Sequence, residues 1–293
     1  MSGGIRTDEP SESSELTVGQ CATWACLLEV TAPKPGNVHR GADFQDMAFG
    51  DFLASAMAIA PAMDAAPTRK LGDTILSAIR ATRNVVATNT NLGTVLLLAP
   101  MASVPRQNDI RQGVANFLEH CSAQDVRQVY EAIRLAEPGG LGRVTQYDIA
   151  SDVPDDLLTA MSAAAEHDLV ARQYVNGFCE VLDVSVAGMV QEWELCGSLT
   201  QAIIHTHLRL MSEFPDSLIA RKCGDKIAQE SARHATSVLK KIQLKDEFWN
   251  AVADFDFWLR ADGNRRNPGT TADLIAAGLF VALRDQLITP PFR

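Results

Sequence analysis

Four stretches of the chain gather the residue types that handle phosphate, sugar and metal chemistry. The first runs from Glu29 through Lys34, Gly36 and His39 to Asp43 and Asp46, setting acids, bases and a histidine around a Pro/Gly loop. A lysine on a rigid turn can meet a phosphate, and aspartates can hold a Mg²⁺ that bridges phosphate oxygens. The second, Thr88 to Thr94, puts Asn89, Thr90 and Asn91 between two apolar stretches. Asn or Thr there can start a helix whose free amides and positive end attract phosphate. In the third, Asp216 and Ser217 can cap a helix, with Arg221 and Lys222 one turn inward as phosphate partners. The fourth, Arg265 to Asp273, joins a turn at Pro268 and Gly269 to a helix start at Thr270 and Thr271, with an acid in its first turn. The plainer reading of each stretch is a solvated loop or an ordinary helix cap.

Other chemistries are not supported. His205 and His207 are two residues apart and face away from each other on a helix, unlike the four-apart pair of a zinc helix. Neither a GxSxG elbow nor a GxxxxGK[ST] phosphate loop occurs. A net charge of -10 and a pI near 5.1 argue against nucleic acid as a partner, because a sequence-independent grip needs dense Lys and Arg. No apolar run approaches the length of about twenty residues that spans a bilayer, so no membrane partner is expected. The six cysteines are scattered and read as reduced thiols, which favours the cytoplasm.

The elements that must position these residues read as helices. Apolar residues return every three or four positions over 16–30, 46–63, 71–87, 91–102, 109–121, 126–136, 155–190, 190–213, 217–239, 245–259 and 271–287. Strand-like alternation is scarce. The stretch 33–36, with prolines at Pro33 and Pro35, must end the first helix, and Pro61 kinks or ends the second. Residues 137–156, broken by Pro138, Gly139, Gly140 and Pro154, read as a long loop. With 293 residues, 46% of them hydrophobic, the expectation is a single all-α globular bundle over 16–293 behind a disordered lead-in over 1–15.

Taken in order, the four stretches resemble the motifs of the triphosphoribosyl-dephospho-coenzyme A synthase family. Glu29 and Val30 with Pro33, Lys34, Pro35, Gly36 and Val38 resemble its E-V-x-x-x-P-K-P-G-L-V-D signature, and Asp46 and Met47 its D-M-D. Asn89 to Gly93 resemble N-T-H-K-G, Asp216 with Arg221 resembles D-T-x-x-x-x-R, and Asn267 to Leu274 resemble S-P-G-G-x-A-D-L. The resemblance implies an all-helical enzyme of cofactor biosynthesis that moves a triphosphoribosyl unit from ATP to dephospho-coenzyme A and releases adenine. It further implies catalytic roles for Glu29, Asp46 and Asp216 and nucleotide contacts from Lys34, Gly36, Asn89, Asn91, Arg221, Gly269 and Thr270. Asp43, Asp46 and Asp273 would hold Mg²⁺. The chain departs from the pattern at His39, Ala48 and the pair Asn91 and Leu92, where the family has Asp, Asp and His-Lys. Those changes leave other readings open: a different acceptor in another cofactor route, such as that of a one-carbon carrier, an ADP-ribose-type hydrolase, or a non-catalytic nucleotide-binding protein. Assembly into a homo-oligomer is also left open.

Overall fold

The computed structural model describes residues 15–137, 154 and 156–292. Among them every regular element is helical, and the all-α expectation holds. The anticipated long loop over 137–156 and the lead-in over 1–15 lie almost wholly outside the described residues.

Two helices are apolar nearly all round and form the axis of the molecule, as expected of helices surrounded by others. They are α5 (Leu92–Ala102), buried at every position but Gly93, and α15 (Gly269–Arg284), buried from Leu274 to its end. Around them pack α1 (Val18–Thr31), α2 (Phe49–Ala58), α3 (Ala60–Ala65) and α4 (Leu71–Arg83). Next come α6 (Ile110–Leu118), α7 (Ala123–Ala136), α8 (Leu157–Ala164) and α9 (Leu169–Asn176). A π-helical segment, Glu180–Val186, follows and runs into α10 (Ala187–Cys196). The remaining helices are α11 (Leu199–Glu213), α12 (Ser217–Cys223), α13 (Asp225–Leu239) and α14 (Lys245–Arg260). These four enclose a second apolar cluster around Leu208, Ile219, Phe248, Phe255 and Leu259. Helix α11 contributes to both clusters, through Ile203 and Leu210 to the first and Ile204 and Leu208 to the second, and so joins them.

The helix starts follow local chemistry. Thr17 opens α1 with a reciprocal cap: its hydroxyl accepts from the Gln20 amide at 3.1 Å while Gln20 Oε1 accepts from the Thr17 amide at 2.8 Å. The helix ends required more than apolar periodicity. The continuous helices expected over 155–190, 190–213 and 217–239 are each broken, at Gly177, Gly197 and Gly224, all with positive φ. Apolar spacing continues across such a break because the next helix packs on the same core, whereas a left-handed residue stops the backbone ladder. The expected helix over 46–63 divides at Ile59 into α2 and α3, with Pro61 in the first turn of α3, where its missing amide hydrogen costs nothing.

Two contacts fix α15. At its C-terminal end the buried Arg284 donates to the carbonyls of Val104 at 3.0 Å and Pro105 at 2.9 Å, beyond the end of α5. At its middle the π-helical segment presses Ser185 against Gly278, and the Ser185 hydroxyl donates to the Leu274 carbonyl at 3.0 Å. A β-carbon at position 278 would lie 2.2 Å from Ser185 Oγ. Gly278→Ala should therefore cost about 1–3 kcal/mol, the usual range for overpacking, measured as a lower urea midpoint with an unchanged slope.

Candidate functional site

The loop that follows α1 is built inward. Lys34 is fully buried, and its ammonium turns back onto the end of α1. There Nζ lies 2.8 Å from Glu29 Oε1 and donates to the carbonyls of Glu29 and of Ala32, the latter at 3.3 Å. An ammonium has three protons, and these contacts use all of them. Lys34 thus has internal partners in place of the phosphate anticipated from the sequence. Two residues on, Gly36 adopts φ +79°, and a β-carbon there would stand 2.7 Å from Leu259 and 2.8 Å from Pro268. The Gly36 amide donates to Asp256 Oδ1 at 2.7 Å, and the Asn37 carbonyl accepts from Arg260 at 2.5 Å. Asn37 Nδ2 reaches the Pro268 carbonyl at 3.4 Å, so the first and fourth stretches touch. Farther along the loop, His39 Nδ1 accepts from the Gly41 amide at 3.2 Å. Burial and then the Arg260 charge push the His39 pKa down, which keeps the ring neutral.

The third and fourth stretches meet at Asp216, 1% exposed. Its Oδ1 accepts from the amides of Leu218 at 2.9 Å and Ile219 at 3.0 Å, capping α12. Its Oδ2 accepts from the Thr271 amide at 2.7 Å and hydroxyl at 2.8 Å, capping α15. Burial pushes the Asp216 pKa up and these donors pull it back. Next to it the Ser217 hydroxyl accepts from the Leu169 amide at 3.3 Å and donates to Thr270 Oγ1 at 3.0 Å, which adds the start of α9. Asp168 caps α9 and pairs with Arg221 at 3.2 Å. Three helix starts are therefore cross-linked, and Asp216 and Thr270 are spent on that work. Gly269 is needed for contact: a β-carbon there would be 2.6 Å from Leu218.

The second stretch adds the start of α5. Asn89 Oδ1 accepts from the Leu92 amide at 3.1 Å, and Asn91 Nδ2 donates to Thr82 Oγ1 at 3.0 Å. The Thr94 hydroxyl donates to Asp273 Oδ1 at 2.6 Å. Gly93 lets this happen, because a β-carbon there would lie 2.1 Å from Asp273 Oδ2. A narrow cleft of about 20 Å³, room for a single water, lies alongside, lined by Cys26, Glu29, Ser55, Thr90, Asn91 and Thr94 among others. Desolvation, followed by the charges of Glu29, Asp216 and Asp168 and opposed by the Thr94 hydrogen bond, pushes the Asp273 pKa up to about 7. Burial and then Glu29 and Asp273 likewise push the Cys26 thiol up.

The acids anticipated as a metal set are not brought together. Asp43 is exposed and caps α2 through the Phe49 amide at 2.7 Å. Asp46 is also exposed, near Lys222. Asp273 sits beside the cleft. Among the described residues no three His, Cys, Asp or Glu side chains form a metal shell. Lys222 donates to Asn267 Oδ1 at 3.0 Å; burial lowers its pKa and the Asp46 charge opposes that. Sequence reasoning missed Asp168 as part of the cluster, and it gave Gly93, Thr94 and Thr271 no role of their own although each lies in a stretch it singled out. A glycine in the first turn of an otherwise fully buried helix was the available signal for Gly93, and Asp256 and Arg260 carried no local signal at all.

Fold and site together define an all-helical protein in which polar side chains join several helix starts. The model of the CitG family, ATP:dephospho-CoA triphosphoribosyl transferase, matches residues 15–291, and the chain belongs to that family, a family of transferases in cofactor biosynthesis. A crystal structure from Archaeoglobus fulgidus, provisionally described as a triphosphoribosyl-dephospho-coA synthase, is similar with a TM-score of 0.63 and 29% identity. The match covers 80% of this chain and 100% of that one. No curated protein matches the chain. Among the described residues no helix is long and apolar enough to cross a membrane.

Two outcomes test the site's electrostatics. Lys34→Met leaves Glu29 buried without its partner and should cost about 3–5 kcal/mol in urea denaturation. The native Asp273 carboxyl keeps its proton up to about pH 7, whereas an ordinary one loses it near 3.8. Between those values the folded state binds more protons than the unfolded one, so stability falls as pH rises. Asp273→Asn should therefore gain stability relative to wild type between pH 4.5 and pH 8, measured without divalent cations.

Proposed function

We propose that this chain transfers a triphosphoribosyl group from ATP to the hydroxyl of dephospho-coenzyme A, releasing adenine, at the cluster around Asp273. The observation that carries this reading is the convergence of all four family motifs on one polar region, through Gly36 and Pro268, Asp216 and Thr271, and Thr94 and Asp273. In the reaction the acceptor oxygen bonds to the anomeric carbon of the ribose as its bond to adenine breaks. One proton leaves the acceptor and one reaches the departing base. Asp273 is the carboxyl best suited to take the first, since a pKa near the working pH favours proton transfer.

The triphosphate lies towards Arg221 and Lys222, the cations of the third motif. Arg221 is about a quarter exposed and shares its guanidinium with Asp168 through one nitrogen, leaving other donors to meet phosphate. Mg²⁺ needs no preformed protein shell here, because it binds through one or two carboxylates together with substrate phosphates. Exposed Asp46, beside Lys222, would hold such an ion, and the ion would supply neutralisation of phosphate charge. Lys34 acts at one remove by fixing the Glu29 carboxylate at the cleft wall. The six free thiols fit a reaction in the cytoplasm.

Chromatographic detection of adenine provides the test. Adenine should appear only when ATP and dephospho-coenzyme A are both present, and Asp273→Asn should slow its release by about 100-fold or more. Adenine release that does not depend on the acceptor, or cleavage of ADP-ribose in its place, would overturn the reading.

A further inference from the structure

At the C-terminal end of α12 two cations are held by neutral oxygens. The Lys222 ammonium donates to Asn267 Oδ1 at 3.0 Å, and Arg265 Nη2 donates to the Lys222 carbonyl at 2.6 Å. Neither has a carboxylate within hydrogen-bond distance among the described residues. Arg265 Nη1 stands 3.9 Å from Asp262, and an exposed ion pair of that length contributes little. Burial lowers the Lys222 pKa, the Asp46 charge opposes this, and the charge of Arg221 lowers it further, so three cations stand near one another. In a chain of net charge -10 that grouping is local, and like charges brought together cost free energy until an anion joins them. The plain reading of Arg265 is a donor to a carbonyl left free at the end of α12. That contact uses one of the five N–H donors of its guanidinium. Arg266, the next residue, is placed differently: it lies 4.4 Å over the Trp258 ring and donates to the Trp258 carbonyl at 3.1 Å. Exposure rises along the group, from Asp216 at 1% through half-buried Lys222 to the Arg265 side chain at 60%. A polyphosphate whose sugar sits at the joined helix starts would pass Lys222 and end at Arg265.

We propose that Arg265 binds the terminal phosphate of the nucleotide and is the residue by which the enzyme tells a nucleoside triphosphate from a diphosphate. This rests on the nucleotide reading above and adds to it the contact that counts the phosphates. A guanidinium suits the task because its planar fork matches two phosphate oxygens at once. The acceptor, dephospho-coenzyme A, carries a diphosphate of its own, and separate ligands distinguish the two sources. The structure favours ATP, because Arg265 stands at the outer end of the cation group, where the longer chain reaches and the shorter one stops.

Calorimetry in Mg²⁺ buffer compares ATP, ADP and dephospho-coenzyme A on wild type, Arg265→Gln and Arg266→Gln. Wild type should bind ATP about tenfold or more tighter than ADP, the usual worth of a hydrogen bond to a charged group. Arg265→Gln should bring ATP down to the ADP level and leave ADP itself unchanged. Arg266→Gln removes the same charge one residue away and should keep the wild-type ratio. An equal loss of ATP and ADP in Arg265→Gln, or a ratio that falls as far in Arg266→Gln, would overturn the assignment while leaving the nucleotide reading intact. A loss confined to dephospho-coenzyme A would overturn it too, by moving Arg265 to the acceptor's diphosphate. A lower melting temperature with an unchanged ratio would reduce Arg265 to the helix-end contact alone. Failure of wild type to bind ATP at all would overturn both readings. Arg265→Lys can still reach the Lys222 carbonyl but lacks the fork, and it gives the same comparison if Arg265→Gln does not fold.

Discussion

The buried carboxylate of Asp216 is the constraint on which the rest of the site depends. A charge in the interior is tolerable only when its oxygens are met by donors, and here two amides of α12 and an amide and a hydroxyl of Thr271 meet them. Because those donors come from two different helix starts, satisfying one carboxylate fixes the angle and separation of α12 and α15. Ser217 and Thr270 extend the same logic to α9. The position of Asp273, two residues after Thr271 on α15, follows from that anchorage, as does its contact with Thr94 on α5.

A second buried charge does comparable work on the other side. Lys34 closes the loop after α1 onto Glu29, so the Pro/Gly loop curls back on the helix it follows, while Gly36 and Asn37 dock on α14 and Pro268. Replacing both ions together by apolar residues of similar size need not weaken a fold in general. In this chain, however, Glu29 also forms one wall of a cleft. The ion pair therefore sets a carboxylate oxygen at a chosen place, a task an apolar pair could not perform.

Much of this was legible in the sequence. Helix type and order followed from apolar spacing, and the four polar stretches do gather in space as their shared resemblance to one family implied. What the sequence hid was the division of labour inside each stretch. Lys34 and Asp216 look like ligand-binding residues when read as isolated charges, because residue type does not reveal burial. Their partners, Glu29 and Thr271, lie within stretches already singled out, but the pairing between 216 and 271 spans 55 residues. Helix ends at Gly177, Gly197 and Gly224 were passed over because packing on a common core keeps the apolar rhythm in step across a break.

That division of labour also explains how the chain can depart from the family pattern at Asn91 and Leu92 and still keep a built site. In the pattern this place carries His-Lys, a cationic pair. Here Leu92 turns into the core of α5 and Asn91 faces the cleft with an unpaired oxygen. The local chemistry thus shifts from cation to neutral acceptor while the backbone of the helix start, set by Asn89 and by the Gly93 approach to Asp273, is retained. That change leaves the buried carboxylates that hold the helices together undisturbed. The departures fall at Asn91 on the cleft wall, at Leu92 in the core beside it and on the loop of half-buried His39 and exposed Ala48, whereas the anchoring positions Glu29, Lys34, Asp216 and Asp273 keep the family's residues and their internal partners.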